Sequence, residues 1–489
     1  MQQNSRKKIA FIGSGVGALG AAWLLYDYCD VTIFERDSWA GGHGHSPEVE
    51  ILGKKYRFDL GVQFVSPAFY PCIYAALQLQ QFKDIKITAA PVTTFSAARS
   101  PEGRRWLWGN TSDYQELDDV QRWVWTPETI AEANKLMLHL QYMSQQEQLQ
   151  TVGVWLKQNN YSDLFIQACL QPLLSILNVT RNGLLNTNFT TLSRLVPGLL
   201  SFTNGTTWYR FDNQVKSFID ALSAPFADRI HVNQQVLACW PTDDGKVQLE
   251  VKDGASGKTK VYTFDEVVYN GTLSYAPNIL NNPKNPNWAK QSKFLAPFTS
   301  EPSHCYLHQD PSYLPSGIPF TSATVWNSES ASPRMSYNQT VIRGLQAELN
   351  PGVWMSYGDP EADAAPTDQL IEPVVWDHPL DSSLIFGAKR QLYNIQGLGK
   401  VWYCGGNTTI DSFNSAFVSG LIIATKISNQ AQFPFTADTP IDQAARVNFT
   451  EYKLGYMFPS TTIESDFATV VAEHLPGWLE AAVANEVSA

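Results

Sequence analysis

"KKIAFIGSGVGALGAAWLLYDYCDVTIFERD" occupies Lys7–Asp37 and decides the fold. Ile9–Gly13 is an unbroken apolar run, the pattern of a strand buried on both faces of a parallel sheet. Gly13-Ser14-Gly15-Val16-Gly17-Ala18 follows and satisfies G-x-G-x-x-G/A, with Ala18 in the third slot. The first glycine permits a tight turn, the second lets main chain approach a pyrophosphate, and the third position must be small where helix meets strand. "ALGAAWLL" then reads as a helix whose N-terminal N–H groups and dipole aim at phosphates. "DVTIFE" reads as a second strand ending at Glu35, about 20 residues on, where a carboxylate accepts from ribose hydroxyls. Strand, turn, helix, strand and acid in this order predict a dinucleotide site. The carboxylate at Glu35 favours an unphosphorylated ribose, so FAD or NAD rather than NADP.

The next segments choose between them. "RDSWAGGHGHS" follows Glu35 with the doublet Gly41-Gly42, and "YRFDLGVQFV" brings Asp59 and Gly61. "RIHVNQQVLACWPTDDGKVQLEV" (Arg229–Val251) reads as a strand and hairpin, and "KVWYCGGNTTIDSFNSAFVSGLIIATKI" (Lys400–Ile427) as strand, Gly-Gly turn, loop and small-residue helix. These segments resemble the FAD-dependent amine-oxidase-like flavoprotein superfamily. The nearest resemblance is to a branch of predicted NAD/FAD-binding oxidoreductases associated with bacterial lipid modification. It extends through "DLGVQFVSPAFYPCIYAALQL", "EPSHCYLHQDPSYLP" and "WYCGGN", and covers most of residues 5–427.

The resemblance implies a Rossmann-type FAD-binding domain with an inserted α+β substrate domain, an α/β fold overall. It implies FAD contacts at Gly13, Gly15, Val16, Gly17, Ala18, Glu35, Arg36, Gly41, Gly42 and His43, and a backbone contact to adenine at Val236. In the C-terminal segment it implies Gly406, Asn407, Phe413 and Asn414, with a helix N-terminus stabilising negative charge on the flavin. Three departures stand out. Asn407 takes the place of the usual glutamate. The aromatic cage position falls at Ser412 or Phe413. No cysteine occupies the position used for covalent flavin attachment, so the FAD is expected to be noncovalent.

The 489 residues are too many for one ordinary domain. With 44% hydrophobic and 17% charged residues the composition is that of a soluble globular protein. A formal charge of -11 excludes a nucleic-acid partner, which needs concentrated Lys and Arg. No apolar run is long enough for a transmembrane helix, and the basic "MQQNSRKK" leads into the glycine motif rather than a signal peptide. Six cysteines without paired spacing suit reduced thiols in a cytoplasmic enzyme. The Asn-x-Thr triplets at 188 and 448 read as chance matches.

The nucleotide domain is expected in three pieces, 1–70, 205–295 and 395–430. The substrate domain fills 71–204, with helical patterns such as "TPETIAEANKLMLHLQYMSQQEQL" and "YSDLFIQACLQPLLSILN", and 296–394, which alternates like strands in "SHCYLHQ" and "SLIFGAK". The tail 431–489 ends in an acidic amphipathic stretch assigned to packing against the body, to a partner subunit in a homodimer, or to a lid.

For chemistry, related amine oxidases place a lysine near flavin N5 on a strand matching "EPSHCYLHQD". By that alignment His304 takes its place, and His308, four residues on, shares a strand face with it and Tyr306. An imidazole near neutrality can take or return a proton, so His304 and His308 are the acid/base candidates. His43 and His45 are two ligands at most, so no metal is expected. The reaction expected is hydride transfer to flavin from an activated C–H bond of an apolar molecule such as an unsaturated fatty acyl chain, with oxygen or a redox partner taking the electrons. An apolar tunnel could be lined by "VQFVSPAFYPCIY" and "RRWLWGN". An amine or amino-acid oxidase, a double-bond isomerase and a non-catalytic flavin scaffold are the alternatives.

Overall fold

The computed structural model describes residues 6–90, 94–99, 105–109, 121–123, 127–142, 144, 147, 150–170, 184–188, 208–311, 322–327, 333–358, 365–380 and 382–459. The apolar run at the start forms β1 (Lys7–Ile12), and its last four residues are buried. The helix that follows, α1 (Val16–Leu25), has Leu24 as its one residue that is not buried. A helix apolar all round must be enclosed on all sides. β2 (Cys29–Phe34) pairs parallel with β1 in register, Lys7 opposite Cys29 and Ile12 opposite Phe34.

Three later segments complete this sheet: β3 (Ile230–His231), β4 (Glu266–Tyr269) and β5 (Val401–Tyr403). All neighbours are parallel, in the order β3-β2-β1-β4-β5. The order reverses between β1 and β4, the switch point where open α/β sheets bind ligands beyond the strands' carboxyl ends. One face of the sheet is covered by α1, by α3 (Gln214–Ser223) and by α4 (Phe413–Ile427). The other is covered by an antiparallel sheet of strands Gln234–Pro241, Val247–Asp253 and Thr259–Phe264.

The second half of the molecule is an eight-stranded mixed sheet. Its order is Val374–Pro379, Ser300–His308, Trp354–Gly358, Pro333–Asn338, Ser322–Asn327, Thr94–Arg99, Arg105–Gly109 and Gln121–Trp123. Both inserted stretches therefore supply strands, whereas the first was expected to be helical. "TPETIAEANKLMLHLQYM" does form a helix, Pro127–Tyr142. Within "RRWLWGN", Arg105–Gly109 form a strand. In "YSDLFIQACLQPLLSILN" the described part includes the helical segment Phe165–Leu170, and residues 171–178 lie outside the described residues. "SLIFGAK" corrects the sequence reading: Ser383–Lys389 is a helix, started by Ser382, whose side chain accepts from the Ile385 N–H. Seven residues with mixed apolar spacing satisfy either period, and the cap decides.

The tail contributes α5 (Pro440–Tyr452), opened by a capping box of Thr439 and Asp442. It packs on α2 (Pro71–Leu77) and α4. Residues 460–489 lie outside the described part. Five cysteines among the described residues are buried and free. No helix among the described residues is long and apolar enough to cross a membrane.

Candidate functional site

The glycine turn after β1 is strained in a way only glycine tolerates. Gly13 has φ +89°, and a Cβ there would lie 2.5 Å from the Asn270 carbonyl oxygen. The Gly15 cap of α1 offers no side chain, so the first N–H groups of that helix are left for a ligand. Glu35 ends beside this turn. Its Oε2 accepts from the Ser14 N–H (2.8 Å) and the Ser14 hydroxyl (2.6 Å), and its Oε1 from the Asp37 N–H (2.9 Å). The carboxylate is thus fixed at the end of β2 with about one lone pair remaining for a ribose hydroxyl.

The second glycine loop lies directly on the first. Gly41 bridges to Gly15, its N–H bonds the Ser14 carbonyl at 3.1 Å, and a Cβ on Gly42 would sit 3.2 Å from the Gly15 Cα. Asp59 holds the following segment, accepting from Ser46 Oγ (2.7 Å) and the Val215 N–H (3.0 Å) and pairing with the buried Arg343 at 2.5 Å. Arg36 is exposed, 3.7 Å from Asp37 and 4.0 Å from Asp377. Val236 is buried in the strand that the Gln234 N–H draws to the Glu35 carbonyl (2.7 Å), which puts this hairpin beside the end of β2 as expected.

A residue the sequence did not flag completes the crevice. Asn270, just after β4, presses its amide against the glycine turn: Cβ atoms at Gly15 and Gly17 would lie 2.6 Å from its Nδ2 and 2.5 Å from its Oδ1. Its Oδ1 accepts from Cys404 Sγ at 3.4 Å. A single polar residue after a strand has no motif around it, so only the fold reveals it.

Three of the expected residues in the C-terminal segment have partners within the protein. Asn407 turns its Oδ1 to the Leu273 N–H (3.3 Å). Phe413 packs in the core, edge-on to Phe218 with centroids 5.9 Å apart. Asn414 accepts from the N–H groups of Cys72 (3.1 Å) and Ile73 (3.3 Å) and donates to Asn448 (2.9 Å). These side chains hold elements together. The N-terminus of α4 is capped by Ser412, which accepts from the Ser415 N–H at 3.1 Å. Gly406 lies against Asp411, where a Cβ would meet the Asp411 Oδ1 at 2.6 Å.

The two halves of the molecule meet at His43. Its ring lies 4.5 Å from Trp376 and 5.4 Å from His378. Desolvation, and then the neighbouring His378, push the His43 imidazole down to about 4. His45 stacks on Trp39 at 4.1 Å, and burial followed by Lys216 pushes it to about 4 as well. His378 Nδ1 is 3.8 Å from Asp411 Oδ2. Desolvation raises Asp411, but His378, His43 and Lys389 outweigh it and hold the carboxyl below its usual range. Desolvation, with Asp411 adding, pushes the Tyr70 phenol up to about 12.

Cross-strand register decides which histidines join this cluster. Ser303 stands opposite Trp376 and Glu301 opposite His378, while Cys305 stands opposite Tyr357. These side chains share one face of the sheet. His304 stands opposite Val375 and Gly358, on the other face with Tyr306 and His308. His304 and His308 do share a face, as expected, but not the one that meets the glycine loops. His304 Nδ1 lies 3.4 Å from the Tyr306 hydroxyl. His308 is fully buried, its Nδ1 accepting from the Asp310 N–H (3.2 Å) and its Nε2 bonded to Ser356 Oγ (2.9 Å). Both nitrogens of that ring are engaged in holding the sheet.

Residues 12–78 match the NAD(P)-binding Rossmann-like domain family. No curated protein sequence matches the chain. Among solved structures, the chain is similar to a CLA-producing fatty acid isomerase from P. acnes, with TM-score 0.61 and 15% identity over 87% of this chain and 99% of that one. It is similar to cyclohexylamine oxidase from Brevibacterium oxydans, with TM-score 0.59 and 13% identity over 86% and 99%. It is similar to a putrescine oxidase bound to putrescine, with TM-score 0.58 and 13% identity over 86% and 99%. At these identities the likeness is one of fold: an amine-oxidase-like architecture over nearly the full length of each.

Proposed function

We propose that this chain is a FAD-dependent oxidoreductase that takes a hydride from an activated C–H bond of an apolar molecule, such as an unsaturated fatty acyl chain. The carrying observation is the contact of the two glycine loops, Gly15 against Gly41 and Gly42, at the uncapped end of α1. Main-chain N–H groups there suit a pyrophosphate, Glu35 suits a ribose, and the second loop runs on through His43 to the aromatic face of the other sheet. A noncovalent flavin held along that path supplies the hydride acceptor. The chain's residues supply phosphate binding, an uncharged His43 and a wall of Trp376, Tyr357 and Tyr70 that keeps water from the reacting carbon. Oxygen or a redox partner then takes the electrons, or the hydride returns to another carbon and the net result is isomerisation.

Asp411 favours a second reading, because a carboxylate at the same junction suits a substrate ammonium. Amine oxidation is accordingly the runner-up.

The experiment is anaerobic titration of the purified yellow protein with linoleic acid and with cyclohexylamine, following flavin absorbance. Bleaching by linoleic acid supports the first reading and bleaching by cyclohexylamine the second. A protein that binds FAD, is reduced by neither and leaves both compounds chemically unchanged favours the flavin-bound scaffold. Gly15→Val parts the two glycine loops and is expected to yield folded, colourless protein by circular dichroism and absorbance. Full FAD occupancy in that variant overturns the phosphate-loop assignment.

A further inference from the structure

His378 sits on an edge strand of the eight-stranded sheet and reaches across to the loop that precedes α4. Its two nitrogens have different surroundings. Nδ1 faces Asp411 Oδ2 at 3.8 Å, while Nε2 is buried with no hydrogen-bond partner among the described residues. Ser303 Oγ, on the same face of the neighbouring strand, is also buried without a partner. A buried polar atom without a protein partner is completed by a water, an ion or a ligand, or serves in catalysis.

The groups around the ring come from every element packed against it. Asp411 comes from the loop before α4, His43 from the second glycine loop and Tyr357 from the sheet, its ring 6.0 Å away. Glu301 stands opposite on the adjacent strand, and Lys389 acts on Asp411 from the helix Ser383–Lys389. A carboxylate 3.8 Å from Nδ1 favours the tautomer with its proton on Nδ1, which leaves the Nε2 lone pair free. His43 is held neutral by desolvation and is a poor proton acceptor, so the chemistry falls to its neighbour.

We propose that His378 is the proton acceptor of this site and that Asp411 is the residue that positions it. The assignment rests on the flavin reading above. A bound flavin would supply the two-electron acceptor for the hydride that leaves a substrate C–H bond. The proton on the neighbouring carbon or nitrogen passes to His378 Nε2. The electron pair it leaves behind forms the new C=C or C=N bond. His378 gains one positive charge, which Asp411 offsets.

The test uses the full-length holoprotein with ¹⁵N-labelled histidine. The first readout needs no turnover. Neutral His378 is expected to show an unprotonated Nε2 shift in the wild type, and Asp411→Asn is expected to remove that preference. A wild-type ring carrying its neutral-form proton on Nε2 overturns the proposal. The second readout is anaerobic flavin bleaching by linoleic acid and by cyclohexylamine. His378→Asn is expected to retain FAD and slow bleaching about 10²–10⁴-fold. Added imidazole is expected to restore His378→Ala, and Asp411→Asn to move the midpoint of the pH–rate profile. Bleaching by His378→Asn at the wild-type rate, or no rescue by imidazole, overturns the role. If the wild type binds no FAD the flavin reading fails instead, and the tautomer measured on the apoprotein still decides the His378–Asp411 pair.

Discussion

His43 and His45 alternate with glycine in "GGHGHS", and both rings are held neutral in the fold, with pKa values pushed to about 4. In the unfolded chain each titrates near 6.5. Between these values the unfolded state binds more protons, so stability rises with pH and is lost as pH falls from about 6.5 toward 4. A shift of this size is worth at most about 3 kcal/mol per ring, and solvent screening at these half-buried positions reduces it. The urea midpoint is therefore expected to be lower at pH 5 than at pH 7, and His45→Gln to shrink the difference. Equal midpoints at the two pH values would rule this out. At this scale the sequence announced the glycines, because each obeys a local rule of turn and approach. It did not announce which face of "SHCYLHQ" meets the site. Period two tells which residues share a face, but only pairing to a distant strand tells where that face points. His378 and Asp411 were missed for the same reason: each is an ordinary residue until an edge strand and a helix-leading loop bring them to 3.8 Å.

Among the elements, the crossing of α1 and α4 places the glycine turn after β1. A Cβ on Gly420 would lie 1.9 Å from the Gly17 carbonyl oxygen, and one on Gly20 would lie 2.7 Å from the Phe417 ring. The two helices touch main chain to main chain, which keeps the first turn of α1 beneath the crevice. Gly420→Ala is expected to destabilise by about 1–3 kcal/mol through overpacking and to lower FAD occupancy by tilting α1. Gly387 serves as the control: it is helical, and nothing lies within 4 Å of a Cβ there. Gly387→Ala is expected to be neutral or to stabilise by up to about 1 kcal/mol. Chemical denaturation of both variants, with flavin absorbance, checks the pair. Equal effects would mean that the helix crossing does not limit stability. The glycines of "GVGALG" thus serve two physical needs, and the motif reading reveals only the first.

Across the whole molecule, the parallel half was legible because its first crossover is closed by about 30 consecutive residues. The second sheet was not, because Thr94–Arg99 pairs parallel with Ser322–Asn327, a contact that no local pattern encodes. A chain that leaves and re-enters its parallel sheet needs side-chain ties between remote segments, and Asn414 is one. It is almost fully buried, satisfies two N–H groups at the start of α2 and bonds Asn448 on α5, while Cys72 Sγ bonds the Ala445 carbonyl at 3.4 Å. Asn414→Ala removes one acceptor and leaves two buried N–H groups unmatched, a cost of about 1–3 kcal/mol. The loss falls on the joint among α2, α4 and α5, away from the glycine loops. The expected result is a lower urea midpoint and a new protease-sensitive site in the 428–439 connection, with FAD still bound. Asn448→Ala, which breaks only the α5 arm, is expected to expose the same connection at a smaller cost in stability. If both variants resist protease like the wild type, α5 is held by its apolar face alone and the asparagine pair is incidental to docking.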